Sequence, residues 1–396
     1  MSYFHLNFIL KGKLTVCCLL MLSVMPLNAQ REAKQIGDFK ESISLNEHLR
    51  GTKRTLQYRP DGDEFVCVNG KNRYTRALYG SHSPFRVETS DRPVFAFYNN
   101  GRGGNISFKV ILRDGTELAL DRTGHCESRY SAGKRTYYLT DPSWGKGELR
   151  ISVLALADMD GAIWRFSPSN MPKGAILRWQ HGGATGKRLS RNGDMGVDPA
   201  DCFELPAEAT DLVTGELPLQ KEVYLVRGEV PEGYNVRKLY QQAEAASLAL
   251  ASHLKIETPD PYLNTLGGAL VAAADGIWDG QVWLHGAIGW RMPLSGWRAG
   301  YTGDALGWHD RARTHFDAYA ASQVTDVPNT IPHPAQDSTM NLARSEKRWG
   351  TPQYSNGYIC RNPERNNQMH HYDMNLCYMD ELLWHFNWTG DTAYVR

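Results

Sequence analysis

Residues 275–316 read DGIWDGQVWLHGAIGWRMPLSGWRAGYTGDALGWHDRARTHF and place five tryptophans among acids, histidines and arginines. Helices that only pack in a core do not need this mixture of residue types. Tryptophan combines a large apolar face with one polar N–H group, and it is common in sites that hold a polar ligand with flat apolar faces. Sugars are such ligands, so the stretch predicts the floor of a carbohydrate site.

The composition of the 396-residue chain is that of a globular protein with room for two or three domains. The net charge of +1 and the lack of a long lysine or arginine run argue against a nucleic-acid partner. The cysteines after residue 29 form no CxxC pair, which argues against a disulfide framework or a zinc ribbon. They are Cys67, Cys126, Cys202, Cys360 and Cys377.

Residues 1–29 are predicted to be a secretory signal peptide. Lys11 and Lys13 precede the apolar run 14–25, and Ala29 supplies the small residue of a cleavage site. The apolar run is too short to span a membrane, which takes about twenty residues. We therefore expect an exported protein with no integral membrane segment after signal cleavage, in the periplasm or at the cell surface of a Gram-negative bacterium.

Residues 30–232 are predicted to form an antiparallel β-sandwich. Short segments rich in β-branched and aromatic residues alternate with turn dipeptides such as Asp61-Gly62 and Asp114-Gly115. Many short strands separated in this way favour a sandwich of about a dozen strands. The predicted strands include Phe65–Val68, Phe95–Tyr98, Ile106–Leu112, Arg135–Leu139, Leu149–Ala155, Ala162–Phe166 and Ala175–Trp179.

The pattern changes to helical near residue 233. Residues 233–260 are predicted to hold a linker helix, because Asn235–Leu254 is rich in Ala, Leu, Gln and Glu with apolar residues at helical spacing. Pro261 suits a helix start and begins the last region, residues 261–396. The helices predicted in that region are Leu263–Ala274, Asp304–Ser322 and Asp373–Trp388.

This order of features resembles the six-hairpin, or (α/α)6-toroid, glycosidases of bacterial polysaccharide-utilisation systems. The likeness rests on the exported β-sandwich, the linker helix, TPDPYLN at 258–264, WLHG at 283–286, the two GWR stretches and WTGD at 388–391. The β region also resembles the domain of unknown function 4450. The resemblance covers about residues 50–396 and implies a β-sandwich, a linker helix and the beginning of a toroid. Only two or three of six hairpins fit after Pro261, so an incomplete toroid is expected.

The resemblance implies an exported glycoside hydrolase, or its N-terminal fragment, that acts on plant or host polysaccharide. Such enzymes commonly use two carboxyl groups as acid and base or nucleophile. Acids beside helix starts in tryptophan-rich surroundings are the candidates, although Asp373 and Asp304 could instead cap helices and Asp310 could pair with Arg311 or Arg313. The catalytic candidates are Asp373, Asp304, Asp310 and Asp279.

Ligand-binding candidates come from the same stretch. Tryptophans stack on sugar faces, while histidines and arginines bond to ring hydroxyls or to a uronate carboxylate. A core position is the alternative for each tryptophan, but their occurrence among turn-forming glycines favours a site built from loops. The candidates are Trp283, His285, Trp290, Arg291, Trp297, Arg298, Trp308 and His309.

Two other functions remain open. One is a non-catalytic carbohydrate-binding or scaffold protein, and the other is a polysaccharide lyase that uses Tyr301, His309 and Arg313. No metal and no cofactor is predicted, because the adjacent His370 and His371 would point apart on a strand and HExxH is absent. A serine hydrolase is also disfavoured, since GxSxG does not occur.

Overall fold

The computed structural model describes most of the chain after residue 56. The predicted signal peptide, residues 1–29, therefore lies outside the described residues. The described residues are 57–71, 74–98, 104–182, 212–230, 232–287, 291–295, 300–323, 325, 336–337, 342–343, 357–363 and 372–396.

The β region contains a strand at each of the seven predicted positions, with ends that differ by a few residues at most. Its strands are β1 (Arg59–Asp61), β2 (Glu64–Val68), β3 (Tyr74–Leu78), β4 (Arg86–Ser90), β5 (Phe95–Tyr98), β6 (Asn105–Ile111), β7 (Glu117–Ala119), β8 (His125–Ser131), β9 (Lys134–Thr140), β10 (Glu148–Ala155), β11 (Gly161–Ser169), β12 (Ile176–Gly182), β13 (Val213–Pro218) and β14 (Val223–Gly228). A further short pair is β15 (Gln336–Asp337) and β16 (Leu342–Ala343).

The strands form two antiparallel sheets. One has the order β1-β2-β8-β9-β10-β11-β14, and the other has the order β13-β12-β6-β5-β4-β3 with β7 beside β6. Tight turns let consecutive strands pair directly: Gly62, between β1 and β2, has a φ of 59°, and Gly115, between β6 and β7, has a φ of 88°. Glycine adopts these left-handed conformations without the steric cost that a Cβ would bring.

The core lies between the sheets and is largely aromatic. The Phe95 ring meets the Tyr137 and Trp164 rings edge-on, with centroids 5.8 and 5.5 Å apart. All three side chains are fully buried. Edge-to-face aromatic contacts of this kind add to the free energy gained from burying the ring area. Because strands from both sheets supply these rings, the sandwich has one continuous core.

The helices follow the sandwich, so the predicted order of β structure and then α structure is confirmed. Asn235 and Asp260 cap the first two helices, since their side chains accept hydrogen bonds from the N–H groups of Lys238 and Tyr262 at 3.1 and 2.8 Å. The helices are α1 (Val236–Ala251), α2 (Pro261–Gly276), α3 (Gly300–Ala305), α4 (His309–Ala320), α5 (Tyr372–Thr389) and α6 (Thr392–Val395).

The prediction of one helix over Asp304–Ser322 is wrong, because this segment is divided between α3 and α4. Gly307 has a φ of 75° between them, a conformation that no right-handed helix contains. The Trp308 N–H group donates instead to the Gly303 carbonyl at 2.8 Å, which closes the turn. The break places Asp304 at the end of one helix and His309 at the start of the next.

A second hydrophobic cluster lies under the helices. It joins the loop after α2 to α4 and α5, and Trp283, Phe316 and Tyr378 are among its buried members. No helix in the described part of the chain is both long and apolar enough to cross a membrane.

Candidate functional site

Helix α3 approaches its neighbours unusually closely because it carries Gly300 and Gly303. A Cβ on Gly303 would lie 2.2 Å from the Trp283 ring, and a Cβ on Gly300 would lie 2.5 Å from an oxygen of Glu381. Side chains at these positions would push α3 away from the core and from α5. The two glycines therefore bring the end of α3, with Asp304, into direct contact with α5.

Asp304 forms the centre of a buried polar cluster. His309 Nδ1 lies 2.7 Å from its Oδ1 atom, and His385 Nδ1 lies 2.8 and 2.9 Å from its two oxygens. An ionised carboxylate only accepts hydrogen bonds, so both imidazoles donate Nδ1–H to it. Asp304 and His385 are buried, whereas the His309 side chain is 41% exposed. The ring of His309 therefore connects the buried carboxylate with solvent.

The same three residues are the type of donor set that holds zinc or ferrous iron, and their ligand atoms lie within 4.8 Å of one another. A tetrahedral metal with bonds near 2.1 Å would hold its ligand atoms about 3.4 Å apart. The 2.7 and 2.8 Å separations between Asp304 and the two histidines are instead direct hydrogen bonds. A metal would require the carboxylate to move away from both imidazoles, so this geometry favours a hydrogen-bond network.

Glu381 is a second buried carboxyl group beside this network. It lies against Gly300, while His385, one turn later on α5, contacts Asp304, one turn later on α3. The matching four-residue steps place Asp304 and Glu381 on successive turns of the contact between α3 and α5. Glycoside hydrolysis commonly uses two carboxyl groups at one site.

An exposed aromatic surface lies next to the cluster. The Trp384 side chain is 49% exposed and meets the Tyr301 ring edge-on with centroids 6.4 Å apart. Tyr301 donates its hydroxyl hydrogen to Asp380, and this bond raises the pKa of Tyr301 above its usual value. Trp388 follows Trp384 by one turn and is also largely exposed. Two exposed indoles on one side of a helix provide flat faces of the kind that sugars stack on.

A separate polar cluster is centred on Asp275, at the junction of the sandwich and the helices. Asp275 accepts from the Tyr79 hydroxyl at 3.0 Å and from Arg311 at 2.5 Å, and it pairs with His82 at 3.3 Å. Burial alone would raise the pKa of Asp275, but the bonds from His82 and Arg311 outweigh burial and hold that pKa below its usual value. The charged carboxylate thus joins β-region residues to α2 and α4.

Arg86 strengthens the same junction. Its guanidinium is fully buried, donates to the Gly276 carbonyl at 2.6 Å and lies over the Tyr79 ring at 4.9 Å. Burial lowers the pKa of Arg86 to about 10. A buried cation that bonds to a helix-terminal carbonyl fixes where α2 ends relative to the sheet.

The predicted ligand-binding residues of the described chain have mixed positions. Trp283 is fully buried against His315, so its ring packs in the core and has no face for a sugar, contrary to the predicted role. Arg291 donates to the carbonyls of Gly276 and His82 at 3.2 and 2.5 Å and so joins loop segments. Both residues support the structure around the site.

Five more of these candidates are either partly buried or outside the described residues. Trp308 and His285 are partly buried, and Trp308 covers the Arg311 guanidinium at 4.4 Å. Trp290, Trp297 and Arg298 lie outside the described residues, as do His370 and His371.

The predicted catalytic acids also differ in position. Asp279 is exposed and caps a turn by accepting from the N–H groups of Gln281 and Val282 at 2.9 and 2.7 Å. The Asp310 side chain is 94% exposed and pairs with Arg313 at 2.5 Å. An ion pair of this kind was the alternative to a catalytic role for Asp310. Asp373 lies in the first turn of α5, but its side chain is outside the described set.

The three lyase candidates have different acidic partners. Tyr301 bonds to Asp380, and His309 bonds to Asp304. Arg313 pairs with Asp310 and, at 3.1 Å, with Asp391. Of the three, His309 is the residue that a buried carboxylate orients toward solvent.

Three residues of this region were not singled out for a site from the sequence: His385, Glu381 and Trp384. Glu381 and His385 are four residues apart, and that spacing on one helix face was the available signal. Their burial could not be read from the sequence, because α5 carries apolar residues on most of its surface. Leu376 and Leu383 are exposed, while these two polar side chains face inward.

Comparison with known proteins adds a family match for part of the chain. Residues 100–227 match the model of a domain of unknown function, DUF4450. This confirms the predicted resemblance over most of the sandwich. No curated protein matches the chain.

Among solved structures, a bacterial glucoamylase complexed with acarbose is similar, with a TM-score of 0.41 and 8% sequence identity. The similarity covers 66% of this chain and 55% of the glucoamylase chain, so this protein spans about half of that enzyme's length.

Proposed function

We propose that the protein is an exported glycoside hydrolase whose carboxyl pair is Asp304 and Glu381. The observation that supports this most directly is the contact between α3 and α5, where both buried carboxyl groups lie on successive turns. Glycoside hydrolases need one carboxyl group that donates a proton to the leaving oxygen and one that activates water or attacks the sugar.

His309 provides the connection between this pair and a bound glycan. Its Nδ1–H group bonds to Asp304 at 2.7 Å, and its partly exposed ring presents the Nε2 atom as a proton acceptor or donor. If Nε2 takes a proton from the attacking water, the hydroxide adds to the sugar and the imidazole becomes positively charged, which the adjacent carboxylate stabilises. Asp304 therefore acts through His309 as well as through its own oxygens.

The exposed indoles of Trp384 and Trp388 are proposed to hold the glycan next to this cluster. They lie on α5, the helix that also supplies Glu381 and His385. Side chains of one helix keep fixed mutual distances, so a sugar stacked on Trp384 would have a constant position relative to the carboxyl pair.

The test uses a panel of plant and host polysaccharides with the full chain and release of reducing ends as the assay. Asp304→Asn and Glu381→Gln keep side-chain size and should each lower turnover by about a hundredfold or more. Asp310→Asn is the matched control, because Asp310 is a largely exposed acid of the neighbouring helix. Circular dichroism checks that both carboxyl variants are folded. The assignment would be disproved if both folded variants kept the turnover of the unmodified chain.

A polysaccharide lyase is the second candidate, and the exposed, carboxylate-oriented His309 favours it. A lyase needs a general base that removes a proton from the sugar ring, and an imidazole whose Nδ1–H group is fixed by a carboxylate presents such a base at Nε2. In this case His309→Gln would abolish cleavage while Glu381→Gln would be tolerated. The product would carry a carbon–carbon double bond and absorb ultraviolet light.

Export is part of the proposal and rests on the predicted signal peptide. Expression with residues 1–29 intact should yield an exported chain that begins at Gln30, which N-terminal sequencing of the extracytoplasmic fraction tests directly. An uncleaved chain in the cytoplasm would contradict it.

A non-catalytic glycan-binding protein would give a different result. It would bind members of the polysaccharide panel, lose that binding in Trp384→Ala and release no reducing ends.

A further inference from the structure

A cavity of about 220 Å³ lies where the sandwich meets α1, α2 and α4. We call it the junction pocket. Its walls come from the segment after β3, the turn between β8 and β9, the end of β10 and the three helices. Residues representative of these walls are Tyr79, Gly133, Ala155, Ala246, Asp275 and Arg311.

The volume is that of a small ring. An engineered protein cavity of about 150 Å³ holds benzene, so 220 Å³ accommodates a six-membered ring together with hydroxyl groups. Small side chains create this space, since Gly80, Ala157, Ala243 and Ala272 all line it. Leu154 and Leu250 add an apolar surface against which a ring face can lie.

Hydrogen-bonding groups line the same space. Arg311 bonds to Asp275 through Nη1, and in the described part of the chain its Nη2 and Nε groups have no hydrogen-bond partner. His82 uses Nε2 toward Asp275, which leaves its Nδ1 atom for a ligand. Ser247 donates its hydroxyl hydrogen to the Ala132 carbonyl at 2.6 Å, so its oxygen can still accept.

Among the Asp and Arg side chains that line the junction pocket, two carboxylates accompany one guanidinium. Asp275 offsets the charge of Arg311, and the exposed carboxylate of Asp158 lies at the rim. A ligand with its own carboxylate would meet the Asp158 charge, whereas a neutral ring with several hydroxyl groups can accept from Arg311 and donate to Asp158 and Ser247. We infer that the junction pocket binds one neutral pyranose unit, as a free monosaccharide or as the end of a glycan.

This site is separate from the proposed catalytic cluster. His309 and Arg311 are two residues apart on α4, and such positions point about 200° from each other. His309 faces Asp304, whereas Arg311 faces Asp275. The inference goes beyond the proposed hydrolase, because a binding pocket at the junction does not require catalysis elsewhere.

The test measures binding of D-glucose, D-galactose, L-rhamnose and D-galacturonate to the full chain by saturation-transfer NMR and calorimetry. Ala246→Leu fills the junction pocket from an exposed helix position, so it should not disturb the core. Ala245→Leu is the matched control, since Ala245 is the exposed neighbour that does not line the pocket. We expect a neutral sugar to bind, with affinity about tenfold weaker in Ala246→Leu and unchanged in Ala245→Leu.

Arg311→Lys is a second test of the junction pocket. Lysine keeps the positive charge toward Asp275 but lacks the planar guanidinium, so this variant should also bind the sugar more weakly. The inference is overturned if no neutral sugar binds, if Ala246→Leu binds as tightly as the unmodified chain, or if galacturonate binds better than galactose. The inactive double variant Asp304→Asn/Glu381→Gln should retain this binding. Failure of the hydrolase proposal and failure of the pocket are therefore distinguishable.

Discussion

The buried histidine His315 should make the helical region sensitive to acid. It lies on α4 with no exposed surface, and its Nδ1 atom accepts a hydrogen bond from the backbone N–H group of Trp283 at 3.1 Å. Its ring packs against Phe316 and Tyr319, with centroids 5.4 and 4.9 Å apart. Protonation at Nδ1 would place one N–H hydrogen against another inside an apolar cluster. Burial accordingly lowers the pKa of His315 from 6.5 to about 3.

The sign and size of the effect follow from proton linkage. Between pH 6.5 and about pH 3 the unfolded chain binds a proton at His315 that the folded chain does not. The stability from the neutral imidazole is thus fully present above pH 6.5 and is lost as the pH falls. The slope is about 1.4 kcal/mol per pH unit, which amounts to about 2 kcal/mol between about pH 7 and pH 5.

The assay is urea unfolding followed by tryptophan fluorescence at both pH values. His315→Gln keeps an acceptor for the backbone N–H group of Trp283 but cannot be protonated. Its free energy of unfolding should therefore fall by about 2 kcal/mol less than that of the unmodified chain on acidification. His125→Gln, which replaces an exposed histidine of β8, is the control and should behave as the unmodified chain. Equal acid sensitivity of the unmodified chain and His315→Gln would refute the reasoning.

Three further outcomes are expected. Gly303→Ala should lower the free energy of unfolding by about 1–3 kcal/mol, because its Cβ would meet the Trp283 ring. Thermal unfolding is compared with that of Ala305→Ser, a control at an exposed position, and equal melting temperatures for the two variants would contradict this expectation. Trp384→Ala should leave the melting temperature unchanged and weaken polysaccharide binding about fivefold, as measured by affinity electrophoresis, and unchanged mobility would exclude the stacking role. Treatment with EDTA should leave any activity unchanged, because Asp304 is already at hydrogen-bond distance from His309 and His385. If EDTA removed the activity and added zinc restored it, the three residues would instead form a metal site.

The candidate site was only partly predictable, and the residues show why. Asp304 stood out because it is an acid beside a predicted helix start in a tryptophan-rich stretch. Trp283 lies in the same stretch, yet its side chain belongs to the hydrophobic core. The loop that carries it folds back onto α4 and α5 and buries it completely. Local sequence distinguishes an aromatic residue from a polar one, but it does not tell which side of a loop faces the protein interior.

The sequence by itself determined the order of β structure followed by helices, the positions of seven strands and the start of α2 at Pro261. These features depend on local preferences: β-branched and aromatic segments, turn glycines, and proline at a helix start. Tertiary structure alone decided that α3 and α5 meet closely enough to join Asp304 with His385 and Glu381. It also decided that Asp275 closes one wall of the junction pocket. Such contacts join residues far apart in the chain, and their geometry depends on how whole elements pack rather than on any single segment.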